Sequence, residues 1–151
     1  VKVDYPAAGS ERKILDLSRE EQNLNFKSFE KPLTQLELNK ARKSVRAVHM
    51  SEQVEEYLVQ IVLATRNSDK YGGNLNNWLE YGASPRATIA LDICSKALAW
   101  LNNKDFVSPD DIRSVAHDIL RHRIILSFEA EANGVSSDQV IDELLRVVPS
   151  A

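Results

Sequence analysis

In Ser51-Glu52-Gln53-Val54-Glu55-Glu56-Tyr57-Leu58-Val59-Gln60-Ile61-Val62-Leu63-Ala64-Thr65, the residues Val54, Tyr57, Leu58, Ile61, Val62 and Thr65 fall at i, i+3, i+4, i+7, i+8 and i+11. That is the spacing of one face of an α-helix, and Ser51 stands where an N-cap belongs. So continuous an apolar stripe requires partner elements to bury it.

Further helical segments lie on both sides. Upstream, Thr34 and Glu37 form a T-x-x-E capping box ahead of Leu38, Ala41 and Val45, and this helix is expected to end near Val48. Before it, Ser10 and Glu11 predict a helix start ahead of Ile14, Leu15 and Leu17, and residues 20–33 read as a polar connector. Val1, Val3 and Tyr5 alternate with Lys2 and Asp4 as a short extended segment that Pro6 stops. Downstream, residues 67–83 read as a long loop partly anchored by Trp78, Leu79 and Tyr81. Two Ser-Pro helix starts follow. The first, Ser84-Pro85, carries Ala87, Ala90, Leu91, Cys94, Leu98 and Leu101 as its expected apolar face. The second, Ser108-Pro109, carries Ile112, Val115, Ala116 and Ile119 and ends near Leu120. Ser136-x-x-Gln139 is another capping box, opening a last helix with Val140, Ile141, Leu144, Leu145 and Val148.

Composition agrees with an all-α chain. Its 151 residues are 43% hydrophobic and 27% charged, with five glycines and five prolines, too few breakers for a loop-rich or all-β protein. The expected architecture is a small bundle of about six helices, one domain over 1–151 preceded by the short extended segment. No stretch approaches the roughly 20 apolar residues of a membrane span. The opening at Val1 lacks the charged and apolar regions of a secretory signal and reads as the interior of a longer chain. A single cysteine, Cys94, leaves no internal disulfide and fits a reduced, cytoplasmic setting. His49, His117 and His122 do not share metal-ligand spacing, and no catalytic dyad, triad or phosphate-binding G-x-x-x-x-G-K-[ST] loop is present.

The two Ser-Pro starts differ in charge. Ser108-Pro109 is followed by Asp110 and Asp111, which complement the positive end of the helix dipole, whereas Ser84-Pro85 is followed by Arg86, which opposes it. Two readings stand for Arg86. Either it serves an anion arriving from outside, since free amides, dipole and guanidinium together make a phosphate site, or it points into water or reaches a surface carboxylate. Arg121-His122-Arg123 follows a helix C-terminus, where the dipole alone accounts for cations, or it meets a partner. Lys40, Arg42, Lys43 and Arg46 form a basic helix face without interleaved aromatics. With a net charge of −3 this reads as a solvated face rather than a nucleic-acid surface.

Tyr81-Gly82-Ala83-Ser84-Pro85-Arg86-Ala87-Thr88 resembles the sensor 2 motif of MoxR-type AAA+ ATPases. Thr65-Arg66-Asn67, Asp105-Phe106-Val107-Ser108-Pro109-Asp110-Asp111-Ile112, Leu120-Arg121-His122-Arg123-Ile124 and the ending Val147-Val148-Pro149 resemble segments of that family's C-terminal lid in order and approximate spacing. Asp4-Tyr5-Pro6 and the Glu11 to Leu15 helix resemble the connection leaving the ATPase core, so the similarity covers nearly the whole chain. Walker A, Walker B, sensor 1 and the arginine finger are absent from it.

The resemblance implies residues 1–6 as a linker from an ATPase core, 84–103 as the sensor 2 helix and 136–148 as a C-terminal helix. It implies Arg86 as the sensor 2 arginine that reaches the γ-phosphate of ATP held with Mg on the core, while this segment alone holds no cofactor. Ser84 and Pro85 would fix the helix start, and Ile14 and Ala87 are candidates to line the adenine. Arg121, His122 and Arg123 are interface candidates toward a neighbouring subunit or the chain's own core. The implied work is ATP-driven, chaperone-like remodelling by a homo-hexameric ring, with von Willebrand factor A-type proteins among its partners. The alternative is a free-standing helical interaction module that grips a partner helix with the Val54 to Thr65 stripe or the Trp78 loop.

Overall fold

The computed structural model describes residues 5–22 and 32–150. The chain divides into two compact units, residues 1–38 and 39–151, and each is taken by itself. In the first, α1 spans Ala8–Gln22. It starts two residues before the expected cap: the amides of Ser10 and Glu11 already donate to Ala7 O at 2.8 and 3.0 Å, so Ser10 lies inside the first turn. Ile14, Leu15 and Leu17 are half-exposed on it. The extended reading of Val1 and Val3, and most of the expected connector, lie outside the described residues.

Helix α2, Gln35–Ala47, buries no residue and rests on its local cap. The amide of Thr34 donates to Glu37 Oε2 at 2.8 Å, and the amide of Glu37 donates to Thr34 Oγ1 at 3.2 Å. These bonds hold the Glu37 carboxyl below its usual pKa, the Thr34 amide contributing most.

The second unit is built round α3, Glu52–Ala64, whose Ser51 hydroxyl accepts from the Val54 amide. All six residues of its stripe are buried, Ile61 completely, so the stripe has no surface left for a partner helix. Around it pack α5 (Pro85–Leu101), α6 (Pro109–Leu120) and α8 (Ser137–Val147), with α5 lying chiefly against α6. Leu75, Leu91, Ile112, Leu120, Ile141 and Leu144 are fully buried at their junction. Burying such side chains contributes about 1.5–3 kcal/mol each relative to leaving them in water.

Two expectations are corrected here. The buried side of α5 is Ala87, Leu91, Ser95 and Ala99, whereas Cys94 is exposed and Leu101 is 67% exposed. Ser95 enters the core because its hydroxyl donates to Leu91 O at 2.7 Å, leaving no unpaired polar atom, and the small side chains let α5 approach α6 closely. The segment 67–83 is also more ordered than a loop. It contains a 3-10 turn (Ser68–Lys70), the short helix α4 (Leu75–Trp78) and strand β1 (Leu79–Tyr81). Leu75 anchors it fully buried, Trp78 and Leu79 pack part-buried against the core as expected, and Tyr81 is 63% exposed.

β1 pairs antiparallel with β2, Ile125–Leu126, placing Leu79 opposite Leu126 and Tyr81 opposite Ile125 across an irregular register. The short α7, Phe128–Ala132, follows. The Ser127 amide donates to Trp78 O and its hydroxyl to Asn77 O, at 2.9 and 2.6 Å, so the segment after α6 is zipped to the segment before α5. Among the described residues, the two strands and the short helices are the additions to the all-helical expectation. No helix among them is long and apolar enough to cross a membrane.

Candidate functional site

Where α3 ends, its last buried residue does more than pack. Thr65 is 2% exposed, and its hydroxyl donates to Val62 O at 2.7 Å while accepting the amide of Ala83 at 2.9 Å. The next residue, Arg66, turns its Nε to Ala83 O at 2.6 Å. Ala83, itself fully buried, is thus held at both its amide and its carbonyl by consecutive residues of another element. Gly82 makes the approach possible, because a Cβ there would lie 2.3 Å from the carbonyl oxygen of Thr65. The glycine is required by close backbone contact.

Directly after this held residue comes the start of α5. Ser84 is extended (φ −74°, ψ 168°), Pro85 occupies the first helical position, and the amide of Ala87 donates to Ser84 O at 2.8 Å. The Ser84 hydroxyl makes no capping bond. In α7 and α8 the corresponding serines do cap, accepting from Ala130 and Gln139 at 3.1 and 3.3 Å. In α6 the place is filled by Asp111, whose Oδ2 accepts from the Ser108 amide and hydroxyl at 2.9 and 2.7 Å. Burial opposes ionisation of Asp111, but the Lys104 ammonium 2.8 Å from Oδ1 and the two Ser108 bonds outweigh it and hold the carboxyl below its usual pKa.

The two Ser-Pro starts are therefore chemically opposite. That of α6 carries its own buried anion; that of α5 carries Arg86 and no acid in its first turn. Arg86 is exposed and makes no hydrogen bond or ion pair among the described residues. Arg66, Arg113, Arg121, Arg123 and Arg146 are each engaged within the unit, whereas Arg42 and Arg46 on α2 are, like Arg86, exposed and make no hydrogen bond or ion pair among the described residues. Arg86 does not reach a surface carboxylate; it points into solvent, which fits both remaining readings, a solvated side chain and one awaiting an anion from outside. An uncapped helix start beside a guanidinium is chemically able to take an anion.

The other expected site residues lie as follows. Pro85 sits beside Arg86 at the helix start, and Ala87 is fully buried beneath it in the core. Ile14 is on α1 in the first unit, 52% exposed. Arg121 bonds Asp138 of α8 at 2.7 Å and Asp118 at 3.2 Å, in that order the causes that raise its pKa. Arg123 donates to Ile119 O at 2.5 Å, closing the C-terminus of α6, and its Nη1 lies 2.6 Å from Nε2 of the exposed His122. Two of the three interface candidates are thus engaged in tying α6 to α8 and capping α6. Among the described residues no group of three or more His, Cys, Asp or Glu side chains is placed to hold a metal ion. An open groove bordered by Glu52, Gln53, Glu56, Tyr57, Gln60 and Pro149 shares no residue with the α5 start.

Sequence reasoning passed over the hold on Ala83. Its signals were present, a threonine closing the buried stripe of α3 and a glycine just before the alanine, but neither says which backbone group the hydroxyl meets.

Several known proteins are similar to this chain. A family model described as AAA lid domain matches residues 76–144, the segment from α4 into α8. Chaperone MoxR1 of Mycobacterium tuberculosis is 37% identical over 94 residues, covering 62% of this chain and 25% of that protein. YeaC of Bacillus subtilis, an uncharacterized protein, is 28% identical over 148 residues, 98% of this chain and 43% of its own length. A solved structure of a proposed ATPase from Cytophaga hutchinsonii superposes with a TM-score of 0.82 at 40% identity, over 99% of this chain and 45% of that one. The chain spans less than half the length of each of these proteins.

Proposed function

The chain belongs to the C-terminal lid region of the MoxR-type AAA+ ATPases, and from that premise we propose that it closes over a nucleotide bound on an ATPase core and senses the γ-phosphate through Arg86. The observation that carries this reading is the start of α5: an exposed guanidinium without a partner, on a helix end that no acid and no serine side chain caps, directly after a residue held from both sides. Phosphate charge supplied from the core would complete that end. Loss of the γ-phosphate would remove the anion, and the lid would respond as a rigid body to a local change of charge.

Within this reading ATP with Mg is held by the core, and Ser84 and Pro85 set the helix start. The adenine contact of Ile14 belongs to the same proposal, whereas Ala87 is fully buried in the core of the second unit and offers no surface for one. So do ATP-driven, chaperone-like remodelling of partner proteins, von Willebrand factor A-type partners, assembly into a hexameric ring and a cytoplasmic setting. The name of the Mycobacterium relative, a chaperone, supports the first of these.

The test is Arg86→Ala in the intact ATPase that carries this lid. Turnover is expected to fall by about a hundredfold, the scale of losing one preorganised charge-stabilising donor. The thermal unfolding of the lid should hardly move, because the side chain is exposed and unpaired. Unchanged turnover at saturating ATP would refute the role given to Arg86.

A further inference from the structure

We propose that Thr65 and Arg66 are positioning residues for Arg86, a two-sided grip on the backbone of Ala83 that sets the direction in which the α5 start presents its guanidinium. This rests on the nucleotide-sensing reading above and deepens it. The grip is unusual in its economy: one peptide unit separates Ala83 from Ser84, and two residues further on stands Arg86.

Thr65 takes the Ala83 amide on its hydroxyl at 2.9 Å, and that hydroxyl is itself oriented because its proton is donated to Val62 O at 2.7 Å. Arg66 takes the Ala83 carbonyl at 2.6 Å. Gly82 brings the two backbones together so closely that no side chain fits between them. The Ala83 amide and carbonyl belong to the two successive peptide groups on either side of its Cα, so with both held neither φ nor ψ of Ala83 can turn far without breaking one of these bonds. Pro85 restricts the next φ angle in turn. Arg86 therefore extends from a restrained backbone although its side chain makes no hydrogen bond or ion pair among the described residues.

Free side-chain rotamers and a fixed backbone are what a sensor needs when its ligand arrives on another body. The arginine can find the anion, while the force transmitted on binding passes into α3 through Thr65 and Arg66 rather than being absorbed by a compliant loop.

The experiment is a double-mutant cycle on ATP turnover in the intact ATPase, with Thr65→Val, Arg66→Ala and Arg86→Ala singly and in pairs, and Thr65→Ser as the conservative control. Thr65→Val keeps the shape and loses the acceptor. It is expected to lower kcat by about tenfold in the presence of Arg86, a misplacement effect, and to have almost no effect once Arg86 is alanine. Thr65→Ser should restore most of the turnover. Hydrogen exchange on the same variants should show the Ala83 amide losing protection in Thr65→Val while amides in the middle of α3 and α6 keep theirs.

A Thr65→Val effect of the same size with and without Arg86 would overturn the inference, since the residue would then act through general stability. So would full activity of Thr65→Val in a protein that Arg86→Ala cripples. If Arg86→Ala itself leaves turnover unchanged, the nucleotide-sensing reading fails, and the grip loses its functional role with it. Should Thr65→Val fail to fold, Arg66→Ala, which removes an exposed side chain, carries the same cycle.

Discussion

At Gly82 the absence of one methyl group decides whether the candidate site can be assembled. A Cβ there would meet the Thr65 carbonyl oxygen and carbon at 2.3 and 2.6 Å, both backbone atoms that cannot swing aside. Gly82→Ala should therefore lower stability by about 1–3 kcal/mol through forced backbone displacement, measured by urea unfolding of the chain. A midpoint indistinguishable from the parent would show that the contact is not rigid. Asp111 is the residue with the clearest pH signature. Its native pKa is depressed by Lys104 and Ser108, so between the native value and about 4, the ordinary carboxylate pKa, the unfolded chain binds more protons than the folded one. The stability it contributes is fully present above that window and is lost as pH falls through the native pKa. Asp111→Asn should cost about 1–3 kcal/mol at neutral pH by removing charge-assisted bonds. It should also flatten the acid limb of a stability-versus-pH curve below about pH 4; an unaltered limb would mean that another carboxylate controls it.

Helix α5 shows how an element can be recognised while its orientation is misjudged. Its start at Ser84-Pro85 was legible; its end is closed in the structure by Asn103 in the left-handed conformation at φ 56° and by the Lys104 amide, which donates to Ala99 O at 2.9 Å. The rotation about its axis was not legible. Alanine occurs on several sides, and the apolar Ile89 and Ile93 are 60% and 55% exposed while Ser95 is buried. Two substitutions separate the alternatives. Leu91→Ala should cost about 2–5 kcal/mol because Leu91 is fully enclosed. Cys94→Ser should stay within about 0.5 kcal/mol of the parent because its thiol faces out. Comparable losses from both in thermal unfolding would return Cys94 to the core. By contrast, the inward faces of α3 and α8 were readable, each behind a serine that caps it, and so was most of that of α6, whose start is closed by Asp111.

Over the whole molecule, the second unit brings together segments far apart in the chain: the end of α3, the strand before α5 and the strand after α6. The turn that carries Arg121, His122 and Arg123 immediately precedes β2, and β2 pairs with the strand that leads into Arg86. Within this unit the basic turn is thus linked to the sensor segment by backbone pairing, while Arg121 fastens it to Asp138 at the start of α8. Nothing in the spacing of these residues announced that linkage. β1 and β2 are three and two residues long, too short to show alternation, and they form because the helices around them have already placed them side by side.

By itself the sequence determined the helical class, the caps of α2, α3 and α8, the stripe of α3 and the place of Arg86 in the first turn of α5. These are local matters, settled by side-chain periodicity and by the chemistry of a few residues at each helix start. Tertiary structure alone decided which face of α5 turns inward, which carboxylates receive Arg121, and that Thr65 and Arg66 close on Ala83. Each of these depends on which atoms meet across more than a dozen intervening residues, and a hydroxyl or guanidinium offers the same bonds to any acceptor until packing selects one.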